Sequence, residues 1–97
     1  MFEWHEEKRQ RNLDKHSLDF LDAKDIWQGP VVEIFSPQAG HGEARIIAIG
    51  MLDDRCITVI YTWRGEKRRL ISARKARKNE QAYYENEIRR RAGTKSN

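Results

Sequence analysis

The sequence predicts an α+β domain in which helices pack on one antiparallel sheet of four or more strands. Residues 56–63 form a nearly unbroken apolar and β-branched run, which is typical of a central strand buried on both faces. The short connection Arg64-Gly65-Glu66 then makes residues 67–72 the antiparallel neighbour of that strand. Two helical segments precede the strands and one follows them, so we expect two N-terminal helices and one C-terminal helix on the sheet.

The segments before the central strand are predicted in chain order. Residues 2–4 alternate apolar and polar side chains and could form a short edge strand. Residues 6–16 have helical composition, and a second helix follows Asp19, whose carboxylate can cap it. That helix is expected to end at Gly29-Pro30. Two further strands are expected, and a loop rich in turn formers separates them: residues 31–35 and 44–51.

The last helix is predicted from about residue 73 to residue 90. Ala76, Glu80, Tyr84 and Ile88 recur at every fourth position, which gives the helix a sheet-facing stripe containing one carboxylate. A carboxylate on a packed face needs a partner, and the nearby arginines can supply it. We expect one domain over residues 1–91 and a disordered polar tail over residues 92–97.

Length and composition limit the class of protein. The 97 residues suffice for one domain with a modest core. The sequence has no apolar run of about 18 residues, and its N-terminus lacks the apolar segment of a signal peptide. Its single cysteine, Cys56, lies inside the central strand and suits a reducing compartment. We therefore expect a cytoplasmic protein.

Basic residues are concentrated in the C-terminal third of the chain. Residues 1–63 hold 7 Lys and Arg against 11 Asp and Glu, a net charge of −4. Residues 64–97 hold 12 against 4, a net charge of +8. Four of those twelve cations precede the last helix and lie at the hairpin. This polarity predicts a surface that binds a polyanion, and the alternative is a merely solvated C-terminal helix.

A series of short sequence blocks extends from residue 2 to residue 84: Phe2-Glu3-Trp4, Lys8, Asn12, Lys15-His16, Phe20, Glu43-x-Arg45, Ile49-Gly50, residues 70–76, Glu80 and Tyr84. Taken in this order, the blocks resemble the BrnT toxin family. The resemblance implies a RelE-like ribonuclease of a type II toxin–antitoxin system, which cleaves RNA without a metal and inhibits translation. It also implies neutralisation by a BrnA-type antitoxin with a ribbon-helix-helix part, so that promoter DNA is bound only through the complex. His5 and Ser17 depart from the family pattern, where an acidic helix cap and a glycine are usual.

Metal-free RNA cleavage needs a base for the 2′-OH, cations for the phosphorane and an acid for the 5′-oxygen. The three histidines lack a regular ligand spacing and the chain has one cysteine, so we expect no metal or other cofactor. Arg64, at the end of the central strand, and Arg74, at the start of the last helix, are the first candidates for phosphate binding. Alternatively, Arg74 pairs with Glu80 or Glu43 and fixes the helix on the sheet.

The remaining candidates for the site each have a structural alternative. Glu43 is the candidate base by its match to the family, or it forms an ion pair with a neighbouring arginine. His16 is a candidate acid or base, or a residue that caps the first helix. Five side chains are candidates for RNA binding, or are simply solvated: Lys8, Lys15, Arg69, Lys75 and Arg77.

Alternation along the strand places Arg68 and Arg69 on opposite faces, so at most one of them joins Arg64 and the other is an exposed charge. A second functional hypothesis is a non-catalytic corepressor module that binds nucleic acid or the antitoxin. Such a module needs the same basic surface but neither a base nor an acid.

Overall fold

The computed structural model describes residues 1–36 and 44–94. The elements are, in order, β1 (Phe2–Glu3), α1 (Glu6–His16), α2 (Phe20–Ala23) with a following 3-10 helix (Lys24–Gln28), β2 (Val32–Ser36), β3 (Arg45–Leu52), β4 (Arg55–Arg64), β5 (Lys67–Lys75) and α3 (Lys78–Thr94). The predicted α+β class is confirmed. In the described part of the chain, no helix is long and apolar enough to span a membrane.

The sheet has five strands in the order β1-β5-β4-β3-β2. Strands β2 to β5 are antiparallel neighbours, as their short connections predict. β1 is the expected edge strand, but it runs parallel to β5, with Phe2 opposite Arg68. The prediction of a wholly antiparallel sheet is therefore wrong in this respect. No tight turn joins β1 to β5, so no local connection fixes their relative direction.

Strand β5 is longer than predicted and the last helix starts later. Arg74 pairs with Thr58 and Lys75 with Ile57, so the strand continues to Lys75, and α3 begins at Lys78 rather than at residue 73. Two tertiary contacts hold residues 73–75 extended: the β4 ladder on one side and the side chain of Asn12 on the other. Both lie far away in sequence, so local composition could not indicate them.

The two faces of the sheet carry separate apolar clusters. One face packs against the helical segment after α1, whose Phe20, Ala23 and Ile26 contribute to its cluster. The sheet contributes alternate residues of β3 and β4, together with Leu70 and Ala73, which lie on either side of a β-bulge in β5. Gly50 allows this close approach, because a Cβ there would lie 2.9 Å from the Cβ of Ile26. The other face packs against α3 through Tyr84. The second cluster contains Val32 and Ile49, with Ile34, Ile47, Cys56 and Ile88 packed against it.

The two departures from the family pattern lie at the ends of α1. His5 is the N-cap and its side chain makes no capping hydrogen bond. Ser17 is the C-cap, with φ 57° and ψ 34°, and its N–H donates to the Leu13 carbonyl at 2.8 Å. The serine therefore adopts the left-handed conformation that usually favours glycine. The predicted cap of α2 is confirmed, since the Asp19 carboxylate accepts from the Leu21 N–H at 3.0 Å.

An arginine lies among aromatic rings at the hairpin end of the sheet. Arg68 and Arg69 occupy opposite faces as predicted, since they pair with Trp63 and Thr62. The Arg68 guanidinium carbon is 4.7 Å from the ring centroids of both Trp27 and Trp63, so it is not the ordinary exposed charge expected from the sequence. Cation–π attraction of this kind stabilises a charge that is partly withdrawn from water.

Candidate functional site

Helix α1 lies beside the edge of β5 that β1 leaves uncovered. The buried side chain of Asn12 fixes it there. Its amide nitrogen donates to the carbonyls of Ala73 at 2.8 Å and Leu18 at 2.9 Å, and its amide oxygen accepts from the Ala73 N–H at 3.0 Å. One amide thus satisfies both backbone groups of Ala73, as a neighbouring strand would. The position of α1 is therefore set by hydrogen bonds to the sheet and by the turn after the helix.

This packing leaves a cleft between the helix and the strand, here called the α1–β5 cleft. Its volume is about 190 Å³, and it is lined by Lys8, Arg11, Asn12, Lys15, His16, Ile71 and Ser72. The lysines and Arg11 share one face of α1, because positions 8, 11, 12 and 15 follow the i, i+3, i+4, i+7 pattern. Three predicted site residues, Lys8, Lys15 and His16, are thus brought together.

The α1–β5 cleft favours anions. Among the described residues, its lining includes basic side chains and no carboxylate. Arg11 has a weak exposed ion pair with Glu7 at 3.7 Å and can be drawn to a stronger anion. His16 is half-buried in the last turn of α1. Since Ser17 caps the helix through its backbone, capping is not the role of His16.

Arg11 was missed by sequence reasoning. Its spacing from Lys8 and Lys15, three and four residues, places it on the same helix face and could have identified it. Asn12 was noted only as part of the family resemblance. Its structural role depends on Ala73, a residue far along the chain, and no local pattern indicates such a pairing.

Arg74 holds α3 on the sheet. Its guanidinium makes a two-pronged ion pair with Glu80, at 2.8 Å and 2.9 Å, and both side chains are largely buried. Glu80 also accepts from the Thr58 hydroxyl at 3.0 Å and the Arg77 N–H at 2.8 Å. The hydrogen bonds from Arg74, followed by those from Arg77 and Thr58, outweigh burial and lower the pKa of Glu80 to about 2. The predicted alternative for Arg74, pairing with Glu80, is what the structure contains.

Because Arg74 belongs to β5, it does not stand at the start of a helix, and that part of its predicted role is wrong. Arg64 lies on the same face of the sheet as Arg74, but it is the last residue of β4. The residue of β4 that pairs with Arg74 is Thr58, six residues before Arg64. That separation is about 20 Å along the strand. Because Glu80 also holds the Arg74 guanidinium in place, the two arginines do not come together at one phosphate group. Arg69 lies toward the Arg64 end and pairs with Glu3 at 3.3 Å.

The other predicted residues fall on two further cavities. Lys75 lines one of about 170 Å³ together with His16 and Arg55, which extends the basic surface on the other side of the histidine. Arg77 lines another, of about 380 Å³, on the α3 side of the sheet. Glu43, the predicted base, lies outside the described residues. Within the described ranges, no three His, Cys, Asp or Glu side chains are grouped as a metal site.

A comparison with protein families identifies the family to which the chain is similar. Residues 4–80 of the 97 match the family described as the ribonuclease toxin BrnT of type II toxin–antitoxin systems. The matched range includes α1, all of β2 to β5 and the first turn of α3, and so contains the whole α1–β5 cleft. No curated protein matches the sequence significantly.

Proposed function

The chain belongs to the BrnT family of ribonuclease toxins of type II toxin–antitoxin systems, and we propose that it cleaves RNA at the α1–β5 cleft without a metal ion. The observation that carries this proposal is the grouping of Lys8, Arg11, Lys15 and His16 in one concave surface with no carboxylate among its described lining residues. Such a surface attracts a phosphodiester and offers an imidazole beside it. The domain proposed for this activity spans residues 1–91.

The proposed reaction transfers the phosphorus atom from the 5′-oxygen to the 2′-oxygen. A base removes the 2′-OH proton, the 2′-oxygen bonds to phosphorus, and the bond to the 5′-oxygen breaks as that oxygen accepts a proton from an acid. The products are a 2′,3′-cyclic phosphate and a 5′-hydroxyl. His16 is the proposed base or acid, and Lys8, Arg11 and Lys15 stabilise the charge that develops on the phosphorane.

Further residues are proposed for the remaining tasks. Glu43, indicated by the family resemblance, is the candidate for the second proton transfer. Lys75 extends the basic surface beyond His16, so it is the candidate for the neighbouring phosphate. Arg69 lies two residues before Ile71 along β5, and Arg64 ends β4, so we propose that they contact the RNA strand on either side of the hairpin, away from the cleaved bond. We assign Arg74 to holding α3 on the sheet, since Glu80 already occupies its guanidinium.

The type II family implies an antitoxin partner. We propose that it is of the BrnA type, with a ribbon-helix-helix part that brings promoter DNA to the complex. Cleavage of cellular RNA would then inhibit translation in the cytoplasm when the antitoxin is absent. We propose a reaction without a metal because of the residues that line the cleft. Their basic side chains favour an anion rather than a metal ion.

The test is cleavage of RNA in excess EDTA by antitoxin-free protein. His16→Ala should lose roughly 100-fold or more in rate, the range expected for general acid–base catalysis. His5→Ala is the matched control, because His5 is exposed at the other end of α1. Lys15→Ala should weaken RNA binding and cleavage, whereas Lys24→Ala, outside the cleft, should not. Thermal melts of each variant check the fold.

The product ends decide the mechanism. Fragments ending in a 2′,3′-cyclic phosphate support attack by the 2′-OH, and their absence would contradict it. Activity that disappears in EDTA and returns with a divalent cation would refute the metal-free reaction. RNA binding without cleavage by any variant or by the wild type would favour the corepressor hypothesis. Cleavage that persists in His16→Ala and falls in Arg74→Ala, with normal melts, would move the site to Arg74.

A further inference from the structure

Helix α3 covers only part of its face of the sheet. It begins beside β4 and β5, where Glu80 contacts Thr58 and Arg74, and it crosses toward β2, where the Tyr84 hydroxyl donates to the Pro30 carbonyl at 3.0 Å. The helix therefore runs across the strands. The cross-strand row beneath it consists of Val32, Ile49, Thr58 and Arg74.

The next row on the same face is apolar and only half-buried. Ile34 pairs with Ile47, Ile47 with Ile60, and Ile60 with Ser72. This row lies about 7 Å from the first, since two residues separate them along each strand. The three isoleucines span about 10 Å across three strands. They form an apolar strip beside α3 that the described part of the chain covers incompletely.

A groove of about 380 Å³ lies over this strip and has a basic rim. It is lined by Ser36, Arg45, Ile47, Ile60, Arg74 and Arg77. Arg77 is exposed and Arg45 is half-buried, while Arg74 is held by Glu80 at the end of the groove nearest α3. The groove thus combines an aliphatic floor with guanidinium groups above it, which matches a partner that is apolar on one side and acidic on its flanks.

We propose that this α3-side groove is the docking surface for the antitoxin, which places an amphipathic helix with acidic flanking residues along the isoleucine strip. The proposal rests on the type II toxin family, which implies a protein antitoxin, and does not depend on which residues cleave RNA. A helix is the occupant because the backbone groups of β3 and β4 are already paired within the sheet, so the groove offers side chains only.

The composition of the floor also argues against RNA as the occupant. Nucleobases bind proteins largely by stacking on aromatic rings, and the groove lining contains no aromatic side chain among the described residues; its guanidinium groups lie on the rim, above the aliphatic floor of Ile47 and Ile60. The side chains of an amphipathic helix, in contrast, gain free energy from burying these isoleucines. A second helix parallel to α3 would lie about 10 Å from its axis, which is an ordinary packing distance and places it over the strip.

The test measures binding of the purified cognate antitoxin to the full chain and, separately, RNA cleavage by the antitoxin-free chain. Ile60→Glu and Arg45→Glu should each weaken antitoxin binding at least roughly tenfold, as expected for central interface residues, and leave cleavage unchanged. Leu21→Glu and Arg89→Glu are the matched controls. Leu21 is an exposed leucine beside the opposite face, and Arg89 is an exposed arginine on α3, so neither should alter either readout.

Ile60→Thr supplements Ile60→Glu, because threonine retains the β-branched shape and keeps the variant testable if glutamate unfolds the strand. Unchanged antitoxin affinity in folded Ile60 and Arg45 variants would overturn the proposal. Loss of RNA cleavage with normal antitoxin binding would also overturn it and assign the groove to RNA. If the wild type cleaves no RNA while the groove variants still lose antitoxin, the proposed cleavage fails and the docking surface stands.

Discussion

Replacing Glu80 with glutamine should lower the free energy of unfolding at neutral pH by about 3 kcal/mol. The carboxylate has a pKa of about 2 in the folded chain against its usual value of 4.5. At about 1.36 kcal/mol for each pH unit of difference, the folded protein gains about 3 kcal/mol from this charge. Glutamine still accepts hydrogen bonds from Thr58 and the Arg77 N–H but leaves the buried Arg74 charge without its counterion.

The pH dependence has a definite sign. Because folding lowers the pKa of Glu80, the stabilisation is fully present above pH 4.5 and is lost as the pH falls toward 2. Urea denaturation of the wild type and Glu80→Gln between pH 7 and pH 2 measures it. The difference between the two proteins should be about 3 kcal/mol at pH 7 and should largely vanish by pH 2. At pH 7 the melting temperature of the variant should be lower by roughly 12 to 24 °C.

Glu87→Gln is the matched control on the same helix. Glu87 pairs with the exposed Arg90 one turn away and makes no contact with the sheet among those described, so its replacement should change stability little. A difference between wild type and Glu80→Gln that stays constant from pH 7 to pH 2 would refute the reasoning. A Glu80→Gln variant with the same melting temperature as the wild type would also refute it. Either result would mean that the charge of Glu80 does not hold α3 on the sheet and that packing of α3, through Tyr84 and Ile88, does so instead.

Three further substitutions test the packing of the fold by urea denaturation. Asn12→Ala should cost roughly 2 to 4 kcal/mol, because it leaves the buried N–H and C=O of Ala73 unpaired, and a variant as stable as the wild type would contradict this. Ser17→Gly should stabilise the chain by about 0.5 to 1 kcal/mol by relieving the left-handed backbone, whereas destabilisation would show that the serine is not strained. Tyr84→Phe should cost about 1 kcal/mol, for the lost hydrogen bond to Pro30, and a loss several times larger would indicate that the hydroxyl organises more than one contact.

Elements dominated by local pattern could be predicted from the sequence. The apolar run of β4 and the glycine turn after it give the β4–β5 hairpin, and Gly65 adopts the left-handed φ of 63° that favours glycine there. The Asp19 cap could likewise be predicted, because the capping carboxylate and the N–H group that donates a hydrogen bond to it lie two residues apart. In these cases the cause lies within a few residues of the effect.

Features that depend on distant partners could not be predicted. Residues 73–75 have helical composition, and only the pairing with β4 and the amide of Asn12 keeps them extended. Because the last helix was expected to start at residue 73, Arg74 was expected at a helix terminus. It lies in a strand instead, and its distance from Arg64 could not be predicted. The resemblance to a family indicated Lys8, Lys15 and His16, but their common cleft required the packing of α1 against β5.

The proposed antitoxin groove and the proposed RNA cleft meet at one residue, Ser72, which pairs with Ile60 at the end of the isoleucine strip and also lines the α1–β5 cleft. A helix that follows the strip from Ile34 to Ser72 crosses about 15 Å, or about ten helical residues. One or two more turns would carry it toward the mouth of the cleft. In that arrangement the antitoxin would neutralise the toxin by steric exclusion of RNA, without any change in the toxin. RNA bound to an inactive His16→Ala chain should accordingly weaken antitoxin binding, and competition titrations measure this. Independent binding of the two ligands would contradict this overlap and would require the antitoxin to act on the cleft through the fold.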